Sequence, residues 1–558
     1  MERLKTWTPY FLVTAAAVLV LFPLSVYPGL LHRTPNGPLH WMVLDHLSSF
    51  LQGHTKDLSH VIAADFPNGR PVRIIGWPFQ LMAVPLVPLV GRIAAMNVAL
   101  LVSLVLSGAL MVRLLGRMGL NSTATALGGL AWVCNPLMVS FLSNGQYENH
   151  VGWALPLAVL GLMRSDTRGF LMLAVGLLGA AFSSPYQAVP AAIIVCAVLL
   201  FQPKRLLPQI MATLAVVFGC CYFYYSGPQP LPGGECGPTS GAMPLVVAEL
   251  FGFTGAIDAE MPFQVDRWSV FLAAFEHPVQ WVSDLDLHNL NVAPGSGFVG
   301  LLPLIGGIYG LWRTWGQSWS KPLALGAVLC LVLALGPQLE MTRGDPVNLP
   351  MPADLLAWLP GISQMGTTLR FMSGVAFALV VGLAFWVHGM GAKRWRIALV
   401  FVLVLAEWVF GTVSTVPMAA KAYQAPAGFD ALPATGAVMT VPVMERVSPE
   451  AHLWMGAILE RDVVGYCETP IRSYREQFGV VDFAQGGQPP NRETINSDLA
   501  LLSEQGISYL AFMVVQPGEE HFRQTVDKLT FMLGTPDGVG NGIIGYRTDR
   551  SGRSIPQK

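Results

Sequence analysis

The polar residues that could do chemistry sit in clusters between long apolar stretches. The segment 35-PNGPLHWMVLDHLSSFLQG-53 carries Asp45 and His46, and the same inter-helix stretch goes on to Asp57, Asp65, Arg70 and Arg73. A second cluster, 143-SNGQYENHVGW-153, holds Gln146, Glu148 and His150. Later come 258-DAEMPFQVDRW-268, 284-DLDLHNLN-291 and 366-GTTLRFMSG-374, the last placing Arg370 just before an apolar run. Carboxylates and imidazoles can take a proton from a hydroxyl, and arginines can hold a phosphate. Asp45 in the first cluster and Glu148 in the second are among the carboxylates that could do so. His46, His150, Gln146, Arg70 and Arg370 are candidate substrate-binding groups, and no residue set identifies a metal. The competing reading is that these loops meet water and are polar for that reason alone.

The elements that would position these residues are membrane helices. The chain has 558 residues, 53% of them hydrophobic and 12% charged, about half the charge of an ordinary soluble protein. Apolar runs of roughly 17–25 residues recur to about residue 415, each long enough to span a hydrocarbon core. The spans fall near 9–31, 92–114, 122–140, 151–163, 169–182, 187–202, 206–226, 298–313, 322–337, 371–389 and 396–415, about eleven in all. The first follows Arg3 and Lys5 and resembles a signal peptide. It lacks a small-residue cleavage site, so it reads as a retained helix. The run 75-IGWPFQLMAVPLVPLV-90 holds three prolines and reads as a helix lying in the interface.

Basic residues next to spans mark the cytoplasmic side. With the N-terminus inside, the inner connections hold Arg113 and Arg117, Arg164 and Arg168, Lys204 and Arg205, Arg313 and Lys321, and Lys393, Arg394 and Arg396. The outer connections are then 32–91, 141–150, 183–186, 227–297 and 338–370. Every candidate residue lies in one of these. Two carboxylates break the apolar pattern, Glu249 and Glu407, and Glu407 reads as a bundle-facing group paired to a neighbour.

Past residue 415 the charged fraction rises to about a fifth and no spanning run remains. Segments 436-GAVMTVPV-443, 507-ISYLAFMVV-515 and 542-GIIGYRT-548 read as strands, alternating with helical stretches 448–461, 495–505 and 518–533. Residues 416–558 thus form a small α/β domain, placed outside the membrane by the odd number of spans before it. Net charge is −1, which gives no footing for nucleic acid. The seven cysteines lie mostly in apolar spans without a CxxC pair, so they read as packing residues. No nucleotide-binding, HExxH or GxSxG motif is present.

Several segments resemble the GT-C class of integral-membrane glycosyltransferases, in particular a loosely defined bacterial branch. The first outer loop of that class runs from an acidic motif through a Trp-containing helix to a proline-rich juxtamembrane helix. The matching segments are 41-WMVLDHLSSFLQG-53, 65-DFPNGRP-71 and 77-WPFQLMAVPLVPLVG-91. Further matches are 112-VRLLGRMG-119, 135-NPLMVSFLSNGQYENHVGW-153, 363-SQMGTTLRFMSGVAFALVVGLAF-385 and 499-LALLSEQGISYLAFM-513.

The resemblance implies an α-helical multi-pass fold at 1–415 with the C-terminal α/β domain outside. It implies transfer of a sugar from a polyprenyl-phosphate donor to an acceptor on the non-cytoplasmic face of the cell (inner) membrane. A first-loop carboxylate would act as base or as ligand of a divalent metal, Glu148 would be the second acid, and Arg370 would hold the lipid phosphate. The lipid-linked sugar and membrane lipid are the expected partners, with envelope proteins as further ones; sugar and acceptor stay unnamed. One departure matters: where relatives show Gly-Asp-Pro, this chain has Asn36-Gly37-Pro38. Asp45 lies about two helical turns on, roughly 10 Å along the axis. Either Asp45 has taken the role, or the chain is a non-catalytic scaffold or assembly protein. A transporter is a third reading, disfavoured because the spans are almost free of charge.

Overall fold

A computed structural model describes residues 2–32, 37–53, 76–143, 145–147, 152–201, 299–334, 368–391, 394–411, 490–513, 519–540 and 543–550, with the short pieces 60–61, 70–71, 339–342, 345–347, 352, 420–422, 437–442, 463–464 and 478–479. In chain order the helices are α1 (Glu2–Val20), α2 (Gly37–Leu51), α3 (Trp77–Ala83), α4 (Val87–Val90), α5 (Arg92–Arg117), α6 (Ser122–Val133), α7 (Pro136–Ser143), α8 (Ala154–Leu162), α9 (Thr167–Ser183) and α10 (Pro185–Phe201). They continue as α11 (Leu301–Arg313), α12 (Ser320–Ala334), α13 (Met372–Gly389), α14 (Arg394–Gly411), α15 (Arg492–Glu504) and α16 (Glu519–Leu533). The strands are β1 (Leu30–His32), β2 (His60–Val61), β3 (Arg70–Pro71), β4 (Leu339–Thr342), β5 (Asp345–Val347), β6 (Ala420–Ala422), β7 (Ala437–Pro442), β8 (Val463–Val464), β9 (Ile507–Met513), β10 (Gly538–Gly540) and β11 (Ile543–Arg547). By contacts the chain divides into one unit of Met1–Thr34, Ile74–Gly227 and Pro238–Lys421, and another of Pro35–Arg73, Pro228–Gly237 and Ala422–Lys558.

The first unit is helical. Helices stand at each expected apolar segment except 206–226, which lies outside the described residues. Two of them, Arg92–Arg117 and Met372–Gly389, are long and apolar enough to cross a membrane. α13 is apolar all round and buried along most of its length, as a central helix should be. The outer helices instead turn large apolar side chains outward: Phe11 on α1, Ile305 on α11 and Val402 on α14 are 69%, 61% and 57% exposed. Apolar rows of this kind are costly in water and fit a lipid solvent.

Prolines and glycines explain where helices depart from the apolar runs. The run 122–140 is two helices because Pro136 cannot donate to the turn before it. There Asn135 takes over: its Oδ1 accepts the Leu137 N–H at 3.1 Å and its amide donates to the Val299 carbonyl at 3.0 Å. The run 75–90 breaks at Pro85 into α3, a 3₁₀ turn over Val84–Leu86 and α4, too short together to cross. The helix in 151–163 is only the 9 residues Ala154–Leu162. It is almost wholly buried and packs as a hairpin against α9 through Gly161 and Gly176, where an added Cβ would come within 2.8 Å of the partner backbone.

The C-terminal part of the second unit carries a five-stranded sheet in the order β10-β11-β9-β7-β8. β9 runs parallel to β7 and antiparallel to β11. Ile507, Leu510 and Phe512 of β9 join Met439, Ile544 and Tyr546 in one core with Leu499 and Leu502 of α15 and Leu529 and Met532 of α16. Gly506 (φ 80°) lets the chain leave α15 and enter β9 at once, and its carbonyl accepts from Ala437 N–H at 2.9 Å. The three expected strands match β7, β9 and β11 within about two residues, and the helical stretches 495–505 and 518–533 match α15 and α16. The expected helix 448–461 lies outside the described residues.

Candidate functional site

Arg370 is the best-defined of the candidate groups. It closes a 3₁₀ turn (Thr368–Phe371) that runs straight into α13. Its guanidinium carbon lies 4.6 Å from the centre of the Tyr186 ring, a cation–π contact worth about 2 kcal/mol when desolvated. Tyr186 stands in the first turn of α10, behind Pro185, a residue suited to a helix start. Phe371 supports the same ring at 6.1 Å. The stack covers one face of the guanidinium. Among the described residues, the buried Arg370 Nε has no hydrogen-bond acceptor, and neither has the buried Ser373 Oγ three residues on. A buried donor without an acceptor costs about 1–3 kcal/mol, so a small anion here would recover it.

Further contacts join segments that the basic-residue pattern groups together. The Gly76 N–H donates to the Ser183 carbonyl at 2.9 Å, joining the first outer connection to the third. Phe79 and Tyr147 pack at 5.6 Å, joining the first to the second. Asn135, between α6 and α7, donates to the Val299 carbonyl just before α11. Tyr186 and Arg370 join 183–186 to 338–370. Glu407, which broke the apolar pattern of its span, accepts from the backbone N–H groups of Leu301 and Leu302 and so caps α11. Gly300 (φ 95°) makes room for it: an added Cβ would stand 2.8 Å from Glu407 Oε2.

The basic connections meet likewise at the other end of the helices. Arg113, Arg117 and Arg164 border one hollow, the Asn121 N–H donates to His388 Nδ1 at 3.2 Å, and Arg313 lies against Gly389. At the turn between α8 and α9, Arg164 donates to Asp166 at 2.9 Å and the Gly169 N–H donates to it at 2.9 Å. The arginine first, and the backbone donor second, hold the Asp166 carboxyl well below the usual carboxylate range.

The other predicted residues divide. Gln146 is buried in the same unit as Arg370, while Glu148 and His150 lie outside the described residues. Asp45 and His46 fall on α2 and Arg70 on β3, in the second unit. His46 is half-buried, and Arg70 pairs through its backbone with Val61. Among the described residues no group of three or more His, Cys, Asp or Glu side chains could hold a metal. Tyr186 and Ser373 escaped the sequence reading. Tyr186 stood in an outer connection of only four residues, and Ser373 was hidden inside an apolar run.

No family model matches the sequence, and no curated protein matches it. Among solved structures, the chain is similar to the archaeal oligosaccharyltransferase AglB from Archaeoglobus fulgidus in complex with an inhibitory peptide and a dolichol-phosphate, at 12% identity and a TM-score of 0.48 over 92% of this chain and 70% of that one. It is also similar to the Archaeoglobus fulgidus oligosaccharyltransferase in complex with Zn and sulfate, at 12% identity and a TM-score of 0.49 over 91% and 68%. A likeness at this level says nothing of substrate or activity.

Proposed function

We propose that the chain is an integral-membrane glycosyltransferase, moving a sugar from a polyprenyl-phosphate donor to an acceptor on the non-cytoplasmic face of the inner membrane. The acceptor is an envelope glycan, glycolipid or protein. In this reading the N-terminus is cytoplasmic, and 32–91, 141–150, 227–297, 338–370 and the domain after residue 415 face outward. The observation that carries it is the buried Arg370 Nε, without a partner among the described residues and with its guanidinium stacked on Tyr186, together with the unpartnered Ser373 Oγ three residues on. This is a pre-set anion site at the mouth of an apolar bundle.

An acceptor hydroxyl forms a bond to the anomeric carbon as the carbon–oxygen bond to the lipid phosphate breaks. The hydroxyl proton passes to Asp45 or Glu148, and the departing electron pair stays on the phosphate, which Arg370 and Ser373 hold. His46, His150, Gln146 and Arg70 are proposed to orient the sugar and the acceptor.

The test is transfer from a panel of radiolabelled polyprenyl-phosphate sugars in membranes holding the full chain. Charge-assisted hydrogen bonds of this kind are worth about 1.5–3 kcal/mol, so Arg370→Ala should raise the donor KM by about 10- to 100-fold. Asp45→Asn should abolish transfer with the protein still folded in the membrane. Full activity of Asp45→Asn would place the base elsewhere. The replacement of the expected Gly-Asp-Pro by Asn36-Gly37-Pro38 favours a second reading, a non-catalytic scaffold of the cell envelope. That reading takes over if no donor of the panel supports transfer.

A further inference from the structure

The end of the helical unit far from Arg370 carries a groove of about 420 Å³ between α1, α5 and α6. Arg113 and Arg117, one turn apart on the last two turns of α5, line it together with Tyr10, Ser122 and Thr125. The same two arginines border a second hollow next to Arg164. Their states differ. Arg164 is engaged by Asp166, whereas among the described residues neither Arg113 nor Arg117 has a carboxylate partner, and both are exposed. The groove also takes in Ser122, the first residue of α6, so the positive end of that helix adds to the two guanidinium groups.

We infer that this groove binds the headgroup of an anionic glycerophospholipid from the surrounding leaflet. Two observations favour a lipid over a soluble anion. The α1 wall bears Trp7 and Phe11 beside Tyr10, 60% and 69% exposed, so apolar surface for an acyl chain adjoins the charged floor. Trp7 and Tyr10 also pack at 5.9 Å, an aromatic pair of the kind found at headgroup level. An amphipathic anion satisfies both surfaces, with its phosphate on Arg113 and Arg117 and its chain along α1. The site is separate from the sugar-transfer reading and stands or falls without it.

The experiment uses the full chain purified in a mild nonionic detergent. Bound lipid is counted by native mass spectrometry after titration with phosphatidylglycerol or phosphatidylcholine. Phosphatidylglycerol should bind at one saturable site more tightly than phosphatidylcholine. The double variant Arg113→Gln/Arg117→Gln should lose about 30-fold in affinity. Arg113→Lys/Arg117→Lys should keep most of it, and Arg168→Gln, a change at an exposed arginine outside the groove, should match wild type. Equal binding by the double Gln variant overturns the site. Equal binding of the two lipids overturns the ligand class. Displacement of phosphatidylglycerol by millimolar inorganic phosphate or glycerol 3-phosphate overturns the lipid in favour of a soluble anion.

Discussion

Gly310→Ala should weaken the helical unit even though alanine is the better helix former. Gly307 and Gly310 of α11 lie directly on the backbone of α13 at Leu379 and Gly382, while Gly306 meets the side chains of Leu383 and Trp386. A Cβ at Gly310 would fall 2.7 Å from the Gly382 carbonyl carbon and 3.0 Å from the Trp386 nitrogen, and closer still to the Gly382 oxygen. Ordinary contact starts at 3.4 Å, so the helices must part by at least about 0.7 Å, and a gap of that size forfeits a quarter to a half of each dispersion contact along the seam. Overpacking against rigid backbone costs about 1–3 kcal/mol, against a gain in helix propensity of about 1 kcal/mol. The clash wins because backbone, unlike a side chain, has no alternative rotamer. The assay is thermal denaturation of the purified protein in detergent, followed by tryptophan fluorescence. Gly316→Ala, where an added Cβ meets nothing within 4 Å, serves as the control and should be neutral. If Gly310→Ala is as stable as wild type or more so, the backbone-to-backbone seam is refuted.

Three further outcomes are expected. Glu407→Ala should destabilise by about 1–2 kcal/mol, because it leaves the first N–H groups of α11 without an acceptor, while Glu407→Gln keeps one and should lose less; equal losses in denaturation would count against the cap. Asp166 has its folded pKa depressed, so its contribution is full above the ordinary carboxylate pKa of about 3.9 and is lost as pH falls through that value and below. Asp166→Asn should therefore flatten the fall in denaturation midpoint between about pH 5 and 3, and an unchanged slope would remove Asp166 from the acid response. Reporter fusions at Lys393 and Lys558 should give opposite signals; matching signals would sink the topology proposed here.

The sequence was sufficient for whatever depends on local pattern. Apolar length located the helices, and alternation with turn residues located β7, β9 and β11, since burial of those segments is a property of each segment alone. The position of Arg370 just before an apolar run was legible too. The spacing of basic residues sorted the connections into two groups; among the described residues Gly76 meets Ser183 within one of them, and Asn121 of the other meets His388 at the end of α13.

Only tertiary contact could decide the rest. That Arg370 stacks on Tyr186 depends on the starts of α10 and α13 meeting across more than 180 residues of chain. That Glu407 caps α11, and that Gly307 and Gly310 let α11 reach the α13 backbone, depends on which helices are neighbours. Periodicity records how apolar each residue's surroundings must be, not which helix supplies them, and in lipid every helix face is apolar for one reason or the other. The choice of neighbour is made by shape, at single atoms such as the missing Cβ of Gly310.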